Sequence, residues 1–251
     1  MKQGKLGFTL VEVSLFLAIS GLLFFAITLG VQNSIYQQRK NDSVQSFIEF
    51  LRGVYDEVLN VQNDTENGGR SENAIYGKLV VFGENANLAG TKANQNEIFT
   101  YSVVGRIGDV EGGQTLKMLK DLGVNVVAQT GDKKTLAGFA DSYEPKWSAQ
   151  IETTDHQQFK GMLLIVRHPN SGAVNTYFNG NVVQINEALQ TGTVSILNDS
   201  NMNGYQIKNV DFCVNSDPGN KNILRSDVRL LANAKNASGV ELMTDEESVC
   251  K

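Results

Sequence analysis

The feature that most limits how this chain can fold stands at its start. From Val13 to Val31 no residue is charged, and the apolar stretch from Phe8 onward carries a single charge, Glu12, near its front. At about 1.5 Å per helical residue the stretch is long enough to cross a hydrocarbon core of roughly 30 Å. The residues therefore predict a membrane-spanning helix over about 8–31. A cleaved secretory signal is the competitor, but its apolar core is shorter and ends in a small-x-small cleavage site, whereas the only break here precedes the run. Glu12 is the anomaly, because a carboxylate at the centre of a membrane helix costs roughly 2.5–3.5 kcal/mol and less towards an end.

Beyond the run the helical pattern continues. Val44, Phe47, Ile48, Leu51, Val54, Tyr55 and Val58 recur at three- and four-residue spacings, one face of an amphipathic helix, and the polar junction 37–42 contains no proline or glycine. A single helix from about Phe8 to Val61, roughly 80 Å long, is the simplest reading, with residues 32–61 as its amphipathic continuation. Gly53 inside it weakens the helix by about 1 kcal/mol relative to alanine. The polar loop "QNDTENGGRSENA" then ends it.

From residue 62 to 251 the character changes to short runs rich in β-branched and aromatic residues: "IYGKLVVFG", "EIFTYSVVG", "WSAQIET", "KGMLLIVRH" and "AVNTYFNG". The last two flank Pro169-Asn170-Ser171-Gly172 and predict a hairpin over Lys160 to Tyr177. Leu116, Leu119 and Leu122 predict a short helix ending at Gly123. "DFCVN", "DVRLLAN" and "NASGVELM" predict a C-terminal meander. The fold class is therefore α+β, a long N-terminal helix packed by its second half on an antiparallel β-rich head.

Cys213 and Cys250 are the only cysteines. Lys2 and Lys5 precede the apolar run and orient everything after it away from the cytoplasm, where a thiol pair can oxidise. A bridge would close region 213–250 and stabilise it by about 4 kcal/mol; two unpaired buried thiols are the alternative. With 22 basic and 27 acidic side chains the chain has net charge −5, which argues against nucleic acid as a main partner.

The residues Gly7-Phe8-Thr9-Leu10-Val11-Glu12, after a short basic leader, resemble the processing site of type IV prepilins and of the pseudopilins of type II secretion. The resemblance is strong over about the first 35 residues. It implies a leader over residues 1–7, cleavage after Gly7 by a prepilin peptidase, N-methylation of Phe8, and assembly with other pilin or pseudopilin subunits on a membrane platform. It also implies a role for Glu12. Cleavage creates an ammonium group on Phe8, and in a bundle of apolar helices the Glu12 carboxylate of one subunit can neutralise the Phe8 ammonium of its neighbour, fixing axial register. A carboxylate snorkelling from the end of an ordinary anchor is the alternative. Many major pilins carry a proline in the apolar helix, but this chain has only Pro145, Pro169 and Pro218, and it is larger than they are. Without that proline, any local melting on assembly would have to use Gly21 and Gly30. The added bulk fits a minor pilin or large minor pseudopilin better than a repeated filament subunit, which is the alternative; either is placed first in the cytoplasmic membrane with its head outside and then in a surface filament. A filament-tip adhesin or substrate-binding module on the same anchor is the second reading, and a permanently anchored sensor or enzyme is the third.

Catalysis is not expected. His156 lies in a polar stretch, His168 directly precedes Pro169, and neither belongs to a nucleophile motif. No cofactor is expected. Asp199, Asn201 and Asn203 alternate before Gly204 like the front of a calcium loop, yet Val210 stands where the bidentate glutamate should fall and Asp211 comes one residue late. An Asn-rich turn is the preferred reading of that segment.

Overall fold

The structure is a computed structural model that describes residues 9–60, 73–83, 96–108, 110–127, 140–181, 193–199, 202–219, 225–244 and 246–250. Helix α1 spans Leu10–Leu59. The chain divides into two compact units between Asn41 and Asp42. In the first, Leu10–Thr28 has a mean hydropathy of 2.4 and none of it is buried by the protein. By length and composition this segment can cross a membrane.

The second unit is built on the remainder of α1. Val44, Phe47, Ile48, Leu51, Val54, Tyr55 and Val58 are each at most 3% exposed, so the predicted apolar face is the buried one. It packs against two antiparallel sheets. The larger runs β7-β6-β1-β2-β3-β8, with β4 also paired to β2, where β1 is Asn73–Phe82, β2 Ile98–Arg106, β3 Asn125–Val127, β4 Ala140–Tyr143, β6 Gly161–Arg167, β7 Val174–Asn179 and β8 Thr193–Ser195. The smaller runs β11-β10-β9-β5, from β5 Gln150–Glu152, β9 Val210–Asn215, β10 Ser226–Leu230 and β11 Val240–Leu242.

Alternation along the strands sorts side chains between two cores. Val80, Phe82, Leu163 and Ile165 join α1 and the small sheet's Phe212 and Val214 in one core. Leu79, Val81, Leu164 and Val166 point the other way, onto Leu119 and Leu122 around helix α2, Thr115–Asp121. With both faces covered, the sequence Met162–Val166 can be apolar at every position. Close approach between β1 and β6 requires glycine at 77, because a Cβ there would lie 2.1 Å from the Ile165 carbonyl oxygen.

The predicted hairpin forms as β6 and β7, extending to Asn179 rather than Tyr177. In its turn the His168 Nδ1 accepts from the amides of Asn170 and Ser171, and Gly172 takes a φ of +69°. His168 is thus a turn-forming residue. The predicted helix α2 ends where Gly123 adopts a φ of +65°, as a C-terminal glycine does. The C-terminal meander is present as β9, β10 and β11. The run "WSAQIET" contributes only three strand residues, which pair with β9 along their length and make a single bridge, Glu152 to Gln158, to the segment that follows.

A hydroxyl chain locks α1 to the hairpin. Thr176 donates its hydroxyl proton to the Ala234 carbonyl at 2.8 Å, so the Tyr55 phenol, 2.7 Å from Thr176 Oγ1, must be the donor in that pair. Burial, partly offset by this bond, pushes the Tyr55 phenol above its ordinary ionisation range.

Candidate functional site

Of the residues singled out at the amino terminus, Gly7 and Phe8 lie outside the described residues. Glu12 is described, and the structure gives it a local task. Thr9 precedes the first helical residue, and its hydroxyl oxygen accepts from the Glu12 amide at 3.3 Å. The Glu12 carboxylate reaches back and accepts from the Thr9 amide at 2.8 Å and from the Thr9 hydroxyl at 2.9 Å. This reciprocal pair is a capping box, in which two amides that the helix cannot satisfy find partners in each other's side chains. Both bonds from Thr9 to the carboxylate fall on Oε2, and among the described residues no bond falls on Oε1.

Above this cap the helix surface is apolar on all sides. Leu10, Phe16, Leu22 and Phe24 are 69–86% exposed. Ser14 and Thr28 turn their hydroxyls onto the carbonyls of Val11 and Phe24, so these side chains present little unsatisfied polarity to an apolar surrounding. A contiguous exposed apolar surface of this length is of the kind that marks membrane or protein contact sites.

Cys213 and Cys250 form a disulfide, with Cα atoms 5.5 Å apart and a sequence separation of 37. Beside it lies Asp227, which pairs in register with Cys213 and is 1% exposed. Its Oδ2 accepts from the Val249 amide at 2.9 Å, while its Oδ1 is buried without a hydrogen-bond partner among the described residues. The carboxylate therefore clamps the C-terminal tail next to the bridge. The predicted closing segment Val249-Cys250 is held by this bond and the disulfide, not by strand pairing.

Burial raises the Asp227 carboxyl above its ordinary 3.8, outweighing the Val249 bond; nearby Asp211 raises it further and Arg229 opposes. The folded state then binds the proton more tightly than the unfolded chain. Stability contributed by this group is fully present below the unfolded value and is lost as pH rises through the folded one. Asp227→Asn keeps an acceptor for Val249 and removes the charge. Its urea midpoint is expected to exceed that of the wild type at pH 7, with the difference shrinking towards pH 3; an equal difference at both pH values would show that the carboxylate is not penalised by burial.

Two carboxylates of the calcium reading are engaged in ion pairs. The Asp199 carboxylate pairs with Lys120, and the Asp211 carboxylate pairs with the Arg229 guanidinium across β9 and β10. Asn203 lies in a short 3₁₀ turn, and Asn201 is outside the described residues. Among the described residues no group of three or more His, Cys, Asp or Glu side chains gathers as a metal site would. The capping box was within reach of sequence reasoning, since Thr9-x-x-Glu12 is its signature. No comparable signal marks Asp227, whose burial depends on three strands and the tail.

Comparison of the chain with family models, with curated proteins and with solved structures finds no match.

Proposed function

We propose that this chain is a minor pilin or pseudopilin, made as a precursor, cut after Gly7, and assembled through its apolar helix into a type IV pilus or related pseudopilus. The observation that carries this reading is a surface of 19 residues, Leu10–Thr28, none of it covered by the protein, with one carboxylate at its front. Lipid satisfies the surface before assembly. Packed subunits satisfy it afterwards. The motif Gly7-Phe8-Thr9-Leu10-Val11-Glu12 supports the processing step, and the oxygen Oε1 of Glu12, unused by the cap, supports pairing with a neighbour's amino-terminal ammonium. Such a pair removes two isolated charges from a medium of low dielectric and opposes axial sliding of apolar helices.

Processing is tested by the intact mass and N-terminal residue of the protein from its native cell, wild type against Gly7→Ala. The reading expects a chain starting at methylated Phe8 in the wild type and an uncut chain in the variant. A wild-type chain that retains Met1 or Lys2 would overturn it. Glu12→Gln separates the two tasks of Glu12, because glutamine can close a capping box but carries no charge. The variant is expected to insert and be processed normally and to be lost from filaments; incorporation at the wild-type level would leave Glu12 as a helix cap alone.

A further inference from the structure

The head carries a groove that neither the anchor nor the core explains. It lies within the second unit, between α1 and the strands β2 and β4, and has a cavity volume of about 250 Å³. That is below the usual range of small-ligand sites and suits a single long side chain better. Glu49, Gly53 and Glu57 form one wall at four-residue spacings on α1. Asp141 and Tyr143 of β4 form the other, and Thr100 of β2, paired in register with Asp141, lies between them.

Four observations give the groove a chemistry. Thr100 is 5% exposed, and its hydroxyl has no hydrogen-bond partner among the described residues. Leaving such a group buried and unpaired costs about 1–3 kcal/mol, so a site that supplies the missing partner recovers it. The position of Gly53 keeps the groove open, since a Cβ there would meet nothing within 4 Å. The lining carries three carboxylates and no cation: Glu57 is paired with Lys78 at 2.8 Å, while Glu49 and Asp141 have no ion pair among the described residues. Finally, Phe50 and Tyr143 stack at 4.3 Å beside them and offer aromatic surface to a cation.

The carboxylates do not converge on one point as ligands of a metal ion would. A longer, planar cation suits them better. We infer that this groove receives an arginine side chain of a partner polypeptide, its guanidinium lying between Glu49 and Asp141. A guanidinium has five donors in a fixed fork, which can serve carboxylates on two walls and the Thr100 hydroxyl together. A peptide-borne arginine is favoured over the free amino acid, whose own α-carboxylate would be repelled by the same walls. The inference does not depend on how the chain is anchored or processed.

The test uses the full chain in detergent micelles and the peptide acetyl-Gly-Arg-Gly-amide, with the citrulline peptide as an uncharged isostere, followed by amide chemical shifts. Saturable shifts at Gly53, Thr100 and Ser142 are expected with the arginine peptide and not with the citrulline peptide. The double variant Glu49→Gln/Asp141→Asn alters exposed side chains only and is expected to weaken binding by about tenfold, equivalent to about 1.4 kcal/mol. Gly53→Leu is expected to abolish it by filling the groove; should that variant misfold, the charge variant still decides. Absence of saturable shifts, equal binding of the citrulline peptide, or undiminished binding by the charge variant would each overturn the inference.

Discussion

Phe47→Ala is expected to destabilise the head by about 3–5 kcal/mol, the range for truncating a fully buried aromatic ring. Phe47 is 0% exposed and lies at the centre of the contact between α1 and the small sheet. Its ring meets Phe212 edge-on at 5.4 Å and has Phe50 and Tyr143 at 6.4 and 6.5 Å. Alanine would remove the transfer energy of the ring and leave a cavity that three aromatic neighbours, each held by other contacts, cannot close. Against a typical total stability of about 5–15 kcal/mol this is a large fraction. Urea unfolding followed by tyrosine and tryptophan fluorescence measures it. Phe24→Ala is the control, because Phe24 is 75% exposed on the apolar segment and its loss is expected to leave the head's midpoint unchanged. A shift below about 1 kcal/mol for Phe47→Ala would mean that the second half of α1 is not part of the head's core.

The second large effect is loss of the disulfide. Cys213→Ala/Cys250→Ala is expected to cost about 4 kcal/mol, from the entropy that the unfolded chain regains when a loop of this length is opened. The bridge also holds the tail on Asp227, so the variant should expose the Val249 amide to hydrogen exchange. A reductant should lower the wild-type midpoint to that of the double variant and leave the variant unmoved. A wild-type midpoint insensitive to reductant under denaturing conditions would instead favour two unpaired thiols.

Legibility followed the range of the interactions. The buried face of α1 could be read from seven apolar residues at helical spacing, and all seven are in the core. The β6–β7 hairpin could be read because its turn residues and its alternation lie within twenty positions of each other. Strands β3, β4 and β8 were not anticipated. They are three or four residues long, and Ala140–Tyr143 has no apolar alternation of its own; it is a strand because β2 offers it a ladder. In the same way Glu152 looks like a surface residue in sequence, yet it is 5% exposed and held by Asn215 at 2.7 Å and Arg225 at 2.6 Å. A buried carboxylate becomes tolerable only when distant residues bring their donors to it.

In the amino-terminal segment the apolar length could be read directly, since it is a property of the chain itself. Reading Glu12 as a membrane charge alone passed over Thr9, which shares its cap. By itself the sequence determined the long helix, the short helix α2 and the β6–β7 hairpin, which face of α1 is apolar, that residues 10–28 are long and apolar enough to span a bilayer, and which two cysteines are available to pair. Only the tertiary structure decided the strand order, the burial of Asp227 beside the bridge, and the open groove between Gly53 and Asp141. The reason is physical. Periodicity, capping and turn geometry depend on neighbours within a few positions, whereas pairing, burial and cavities depend on which remote segments win the competition to close the chain.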